Sequence, residues 1–367
     1  MSIGVSTMAQ STDLEPIPPE QAVKMFHEAM RDEHAKSTRR SEKHRLKAFL
    51  QFCDEHGIDE LNELTGRDLY LYRTWRREGN GDGRDPIKRV TLKGQLASLR
   101  RFLRFAANID AVPAELYEQV TLPTMSNGED VSNSTLEADR ALEILDYLEH
   151  AQPGSRDHII VLLLWKTGAR TGARTGARTG AIRGLDLRDL DLEGTHPRVN
   201  GPALQFVHRP DTGTPLKNQE KGTRWNRISE KTARFLADYI EYHRPDVTDE
   251  HGREPLITTE YGRPAGNTLR TTLYRVTRPC WRGEACPHDR DIETCDATHL
   301  DHASKCPSAR SPHDLRSGRV TYYRREDVPR RVVKDRLNAS EDILDRHYDR
   351  RSNREQAEQR SDHLPDL

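Results

Sequence analysis

Hydrophobic positions recur at helical spacing over most of this chain, and the places where the period breaks mark its organisation. Ala22, Met25, Phe26, Ala29 and Met30 follow PPEQ at steps of one, three and four, which predicts an amphipathic helix; Leu46, Phe49, Leu50 and Cys53 predict a second. A third is expected over LTGRDLYLYRTWRR, with Thr65 as its N-cap, ending at the polar turn EGNGDGRDP. In TLKGQLASLRRFLRFA, the residues Leu92, Leu96, Leu99 and Leu103 form one stripe and leave Lys93, Arg100, Arg101 and Arg104 for the outer face. That basic face is a candidate for DNA phosphates, with an ordinary solvated helix face as the alternative.

The pattern lapses in VTLPTMSNGEDVSNST, a Pro/Ser/Asn/Gly-rich linker candidate. The expected layout is a flexible N-terminus over 1–15, a helical domain over 16–122, a linker over 123–137, a second domain over 138–350 and a tail over 351–367. Past the linker, Ala141, Leu142, Leu145 and Leu148 predict a helix, and the unbroken apolar run from Ile159 to Trp165 predicts a central buried one. ALQFVHR and TRWNRIS alternate as strands around the loop PDTGTPLKNQEKG. SEKTARFLADYIEYH returns to helix, with Phe235, Leu236, Tyr239 and Ile240 inward. The fold class expected is mainly α with a small antiparallel β-sheet (α+β).

Composition narrows the function classes. The chain has 34% hydrophobic and 32% charged residues and no apolar run of membrane-spanning length, so no membrane role is expected. The first twenty residues lack a basic flank leading into an apolar core, so the cytoplasm is expected rather than secretion. Basic and acidic residues nearly cancel, 58 against 59, but 46 of the basic ones are Arg. The planar guanidinium clamps phosphate with two hydrogen bonds. A codon-composition bias would give the same count.

Three pieces carry candidate chemistry. The stretch TGARTGARTGARTGAIRGLDL, Thr167 to Leu187, repeats a four-residue unit and places Arg170, Arg174 and Arg178 in equivalent settings. SPHDLRSGRVTYY sets His313 and Arg316 three apart, on one helical face. LNASEDILDRHYDR carries Tyr348 after a short amphipathic run. An HxxR match alone is common. The order, however, of an Arg after TGA, a Lys in a strand pair, HxLR and then Tyr resembles the catalytic domain of the tyrosine recombinase (phage integrase, site-specific recombinase) family. Residues 16–122 look like that family's helical core-binding, SAM-like domain, so the resemblance covers most of the chain; an archaeal branch of the family is one the reading keeps open.

The resemblance implies Tyr348 as nucleophile, forming a 3′-phosphotyrosyl link, and Arg178 and Arg316 as the groups that hold the non-bridging oxygens. It implies His313 as a phosphate donor or proton-transfer group, and Lys221 as general acid, with Lys217 the fallback and a solvated hairpin tip the plain alternative. Counting back from IRGLDLRDLDL selects Arg178, beside an expected helix start; counting forward from HIIVLLLWK selects Arg170. A period of four drifts about 40° per unit on a 3.6-residue helix, and each Gly costs about 1 kcal/mol there, so the repeat reads as loop. It is either surplus from duplication or a source of added phosphate contacts through Arg170 and Arg174. Two positions depart from the family pattern: Ala181 where a Glu is usual, and Ala339 where a His is common. His347, beside Tyr348, is a candidate substitute for the latter.

Cys53 stands apart from Cys280, Cys286, Cys295 and Cys306, which fall within an insert over 278–310. With His288 as a variant ligand, and His299 and His302 nearby, these four suggest a structural Zn site, against free thiols in a surface loop or an iron–sulfur cluster. No catalytic cofactor is expected. The function expected is a site-specific DNA recombinase or integrase acting on double-stranded DNA as a homo-oligomer, a tetramer on its site. The alternatives are a catalytically silent DNA-binding protein of the same descent and a type IB topoisomerase-like relaxing activity.

Overall fold

A computed structural model describes residues 14–34, 36–79, 86–126, 129, 134–168, 180–197, 199–342, 344 and 351–361. The chain divides into two compact units between Asp130 and Val131, inside the expected linker. Among the described residues no helix is long and apolar enough to cross a membrane.

Among its described residues the first unit holds four α-helices: α1 (Pro19–Ala29), α2 (Lys36–Glu55), α3 (Gly66–Glu78) and α4 (Arg89–Asn108). Thr65 caps α3 as expected, in a reciprocal capping box with Asp68. The four leucines of α4 are all buried, against an aromatic cluster of Phe26, Phe49, Phe52, Phe102 and Tyr72. On α1 the buried stripe is Ala22, Val23, Phe26 and Met30, so Met25 and Ala29 face outward, contrary to the expectation. The expected positions and the buried ones share Ala22, Phe26 and Met30, and tertiary packing turns the helix so that Val23 rather than Met25 and Ala29 completes the buried face.

The second unit is built around α6 (Arg156–Thr167), whose residues from His158 to Trp165 are all buried. Ser155 caps its start. Packed on α6 are α5 (Ala138–Ala151), α7 (Glu230–Asp238), α8 (Thr268–Val276) and α9 (Pro312–Arg325). On α5 it is Ile144 that turns inward, while Leu142 is 44% exposed. Leu236 and Tyr239 are buried as expected, with Phe235 and Ile240 half-buried. Both expected strands form, as β2 (Ala203–Phe206) and β3 (Arg224–Arg227), with Ala203 opposite Arg227 and Phe206 opposite Arg224. A short β1 (Leu190–Asp191) completes a three-stranded antiparallel sheet. That strand corrects the sequence reading after the repeat. The expected helix start at IRGLDL is a turn over 181–184, then a 3-10 turn, Leu187–Asp189, closed by an Asp186–Asp189 capping box. Helix α10 (Arg330–Leu337) follows α9, and α11 (Asn353–Ser361) lies in the tail.

Candidate active site

Two local signals set where His313 and Arg316 sit. Ser311 and Asp314 form a capping box and Pro312 occupies the first helical turn, so α9 starts at a fixed residue. Gly318 then lets the helix lie against the backbone of Leu136, where a Cβ would overlap the Leu136 carbonyl. His313 is exposed on the first turn, while Arg316, one turn on, is 1% exposed.

The Arg316 guanidinium joins two chain segments. Nη1 donates to the Gly168 carbonyl at 2.5 Å and Nη2 to the Leu337 carbonyl at 3.0 Å. Gly168 ends α6 in the left-handed conformation (φ 58°), and a Cβ there would drive into the Leu337 side chain. Gly168 is the second residue of the TGAR repeat in the sequence. Leu337 ends α10, and Asn338 follows it with φ 48°, another left-handed cap. The chain then runs on towards Tyr348, with Leu344 buried against Val320, Tyr323, Val333 and Leu337. The segment from each end carries candidate groups: Arg170, Arg174 and Arg178 on one side, His347 and Tyr348 on the other. Those five residues lie outside the described ones.

A third segment reaches the same point. Asn218 donates from Nδ2 to the Asn338 side-chain oxygen at 2.9 Å, and Gly222 packs so tightly that a Cβ there would lie 3.0–3.2 Å from the Leu216 and Asn338 side chains. Lys221 is exposed in a 3-10 turn, Gln219–Gly222, just before β3 rather than within a strand; Lys217 is exposed in the same loop. The structure thus gathers the roots of the repeat, the HxLR helix, the lysine loop and the tyrosine segment. Ala339 joins the apolar cluster around Val333 and Leu337, and Ala181 packs on the main core, so neither offers a polar group here.

The charge around this point is one-sided. Arg336 donates from Nη2 to the carbonyls of Lys166 (2.9 Å) and Arg227 (3.0 Å), and from Nε to the Tyr323 hydroxyl (3.1 Å). Arg224 donates to the carbonyls of Arg336 and Gly222 and stacks on Phe206. Arg319 lies over the rings of Trp165, Tyr322 and Tyr323. Among the described residues, none of Arg224, Arg319, Arg336 and Lys166 has a carboxylate partner. Burial, then the neighbouring Arg336, pulls the Arg224 guanidinium down to about 10. Burial and then Arg319 lower Lys166. Sequence reading missed Arg224, Arg319, Arg336 and Tyr323, since no local spacing marks them.

The basic face of α4 is largely engaged inside its own unit. Arg101 pairs with the buried carboxylate of Glu42, Arg100 donates to the Tyr117 carbonyl at 3.3 Å, and Arg104 lies over the Tyr117 ring. Lys93 is half-buried on the same helix.

The zinc expectation finds no support among the described residues. Cys280, Cys286, Cys295 and Cys306 are each half-buried, yet among the described residues no group of three or more His, Cys, Asp or Glu side chains is placed to hold a metal ion. The insert makes polar contacts of its own. His288 Nε2 lies 2.8 Å from the Ser308 hydroxyl, His302 meets Asp296, and Arg278 donates to the Ala297 carbonyl. Burial first, then the other three thiols, raises the Cys280 thiol, opposed by Arg278. The thiols feel one another electrostatically without converging on a ligand geometry.

With the geometry in place, comparison is informative. Residues 23–108 match the model of the phage integrase, N-terminal SAM-like domain. The integrase of transposon Tn1549, solved with transposon right-end DNA, is 11% identical over 95% of this chain and 99% of its own, with a TM-score of 0.59. The phage lambda integrase, solved as a dimer bound to a COC′ core site, is 14% identical over 96% of this chain and 80% of its own, with a TM-score of 0.56. The N-terminal domain of a phage integrase/site-specific recombinase from Haloarcula marismortui is 29% identical over 30% of this chain and 99% of its own, with a TM-score of 0.28. No curated protein matches the sequence.

Proposed function

We infer that this chain, whose fold is that of the tyrosine recombinases and whose first domain is that of the phage integrases, is a site-specific recombinase acting on double-stranded DNA. The observation that supports this most is the Arg316 guanidinium, buried and hydrogen-bonded to the carbonyls of Gly168, which caps α6, and Leu337, which ends α10, the points after which the repeat arginines and the tyrosine segment follow in the chain. Arg316, with Arg178 from the repeat, holds the non-bridging oxygens of the scissile phosphate. A guanidinium fork suits two oxygens better than an ammonium does. The Tyr348 hydroxyl attacks phosphorus, the bond to the 5′-oxygen breaks, and the Lys221 ammonium delivers a proton to that oxygen. His313 donates to the phosphate or takes the tyrosine proton. The 3′-phosphotyrosyl bond keeps the energy of the diester, so a second 5′-hydroxyl reverses the step on another strand. Strand exchange then needs several copies on one site, and a homotetramer is the form we assign to it.

The test is covalent capture on nicked duplexes drawn from the DNA flanking the gene, resolved on a denaturing gel. Wild type is expected to give an adduct and Tyr348→Phe none. The silent DNA-binding reading keeps one observation in its favour, the methyl group of Ala339 in the apolar cluster where a donor would help. It gains if the same fragments are bound specifically but yield no adduct.

A further inference from the structure

We propose that Arg336 is a positioning residue for the Tyr348 nucleophile, clasping the end of α10 to the three elements that carry the other groups of the site. The inference rests on the recombinase reading. Helix α10 is only eight residues long and buries two side chains, Val333 and Leu337, while Val332 is 51% exposed. Apolar contact alone therefore gives its C-terminal end little to hold it. Arg336 supplies the remainder from both halves of the residue. Its side chain donates to the Lys166 carbonyl on α6, the Tyr323 hydroxyl on α9 and the Arg227 carbonyl at the end of β3. Its own carbonyl accepts from Arg224 Nε at 3.2 Å and Asn226 Nδ2 at 3.3 Å, both on β3.

Each partner lies on an element leading to a candidate group. Helix α6 runs into the repeat, α9 carries His313 and Arg316, β3 follows the Lys221 turn, and α10 itself leads through Asn338 towards Tyr348. The adjacent residue, Leu337, gives its carbonyl to Arg316. One planar group reaching three acceptors on three elements suits Arg and not Lys, whose single nitrogen sits at the end of a flexible stem. The clasp acts at a distance from the reacting atoms, so its loss misplaces the attacking oxygen and leaves the DNA-binding surfaces intact. A displacement of about 1 Å at that oxygen is enough to cost about 100-fold in rate.

Single-turnover adduct formation on the nicked duplex, with the full chain and DNA titrated, separates rate from binding. For Arg336→Ala the maximal rate is expected to fall about 100-fold while the half-saturating DNA concentration stays within about 3-fold of wild type. Arg336→Lys is expected to fall between the two, and Tyr323→Phe, which removes one acceptor of three, to lose a few-fold in rate only. A wild-type rate in Arg336→Ala or Arg336→Lys would overturn the inference, as would a half-saturating concentration that rises in step with the lost rate. If Arg336→Ala does not fold, the Arg336→Lys and Tyr323→Phe rates decide the matter on the same criteria. Absence of an adduct from the wild-type chain would instead strike the recombinase reading itself.

Discussion

Two sets of arginines in the second unit use the same side chain to opposite ends. In one, Arg209, Arg253 and Arg263 surround the carboxylates of Asp186, Asp189 and Asp249, five of these six side chains being under a tenth exposed and Arg209 16% exposed. Every charge there has an opposite, and the network ties the turn after the repeat to the segment over 249–263. In the other, Arg224, Arg319 and Arg336 stand near Arg316 around the ends of α6 and α10 with backbone carbonyls and aromatic rings as partners. Carbonyl dipoles at a helix C-terminus favour cations but do not neutralise them. Among the described residues the first set is compensated, whereas in the second Arg336 is committed to its three acceptors and Arg224 and Arg319 are left as cations without a carboxylate, open to an anion. The α4 arginines resemble the first set, since Arg101 already answers Glu42.

Breaking the compensated set should have the largest effect. Asp186→Ala leaves buried guanidiniums without their carboxylate and is expected to cost about 3–5 kcal/mol in urea unfolding; a loss under about 1 kcal/mol would mean the network behaves as a surface one. The open set should respond to an anion. Inorganic phosphate at ten times its dissociation constant is expected to stabilise the chain by about 1.4 kcal/mol, and Arg224→Gln to reduce that gain. A gain equal in the variant would remove the distinction between the sets.

Acid should act on the first set alone. Burial by itself would raise the Asp249 carboxyl, but the backbone N–H groups of Arg253 and His251 and the guanidiniums of Arg263 and Arg253 hold it well below the carboxylate range. A depressed folded pKa gives stability that is complete above the unfolded value, about 3.9, and is lost as pH falls through the folded one. Asp249→Asn should therefore flatten the unfolding profile below about pH 4, and an unchanged profile would contradict the assignment. The smallest effect concerns thiols. Burial pushes Cys53 up to about 12, so it should resist alkylation at pH 8 until the chain unfolds, while the half-buried thiols of the insert react sooner.

How far the sequence discloses this molecule depends on the range of the interactions involved. Periodicity marks the helices of both units, the buried run of α6 and the strand pair, because each is a local pattern. It misplaces Met25 and Leu142, where tertiary packing chose Val23 and Ile144 from the same turn. The helix expected after the repeat fails because Asp186 and Asp189 close a capping box over three residues and the chain turns into β1. His313 and Arg316 are legible from their spacing. Arg336 and Arg224 are not, since all their acceptors but the Tyr323 hydroxyl are main-chain carbonyls, most of them on elements remote in sequence. The cysteine spacing suggests a metal, and among the described residues no group of three or more such side chains is placed to hold one.

Arg316→Lys tests the central claim most directly, by the rate of covalent adduct formation on the nicked duplex beside the unfolding midpoint of the same variant. The rate is expected to fall at least about 100-fold below wild type in a chain that remains folded and still binds the duplex, because a preorganised donor to the transition-state phosphate is lost. An adduct formed at the wild-type rate would contradict it.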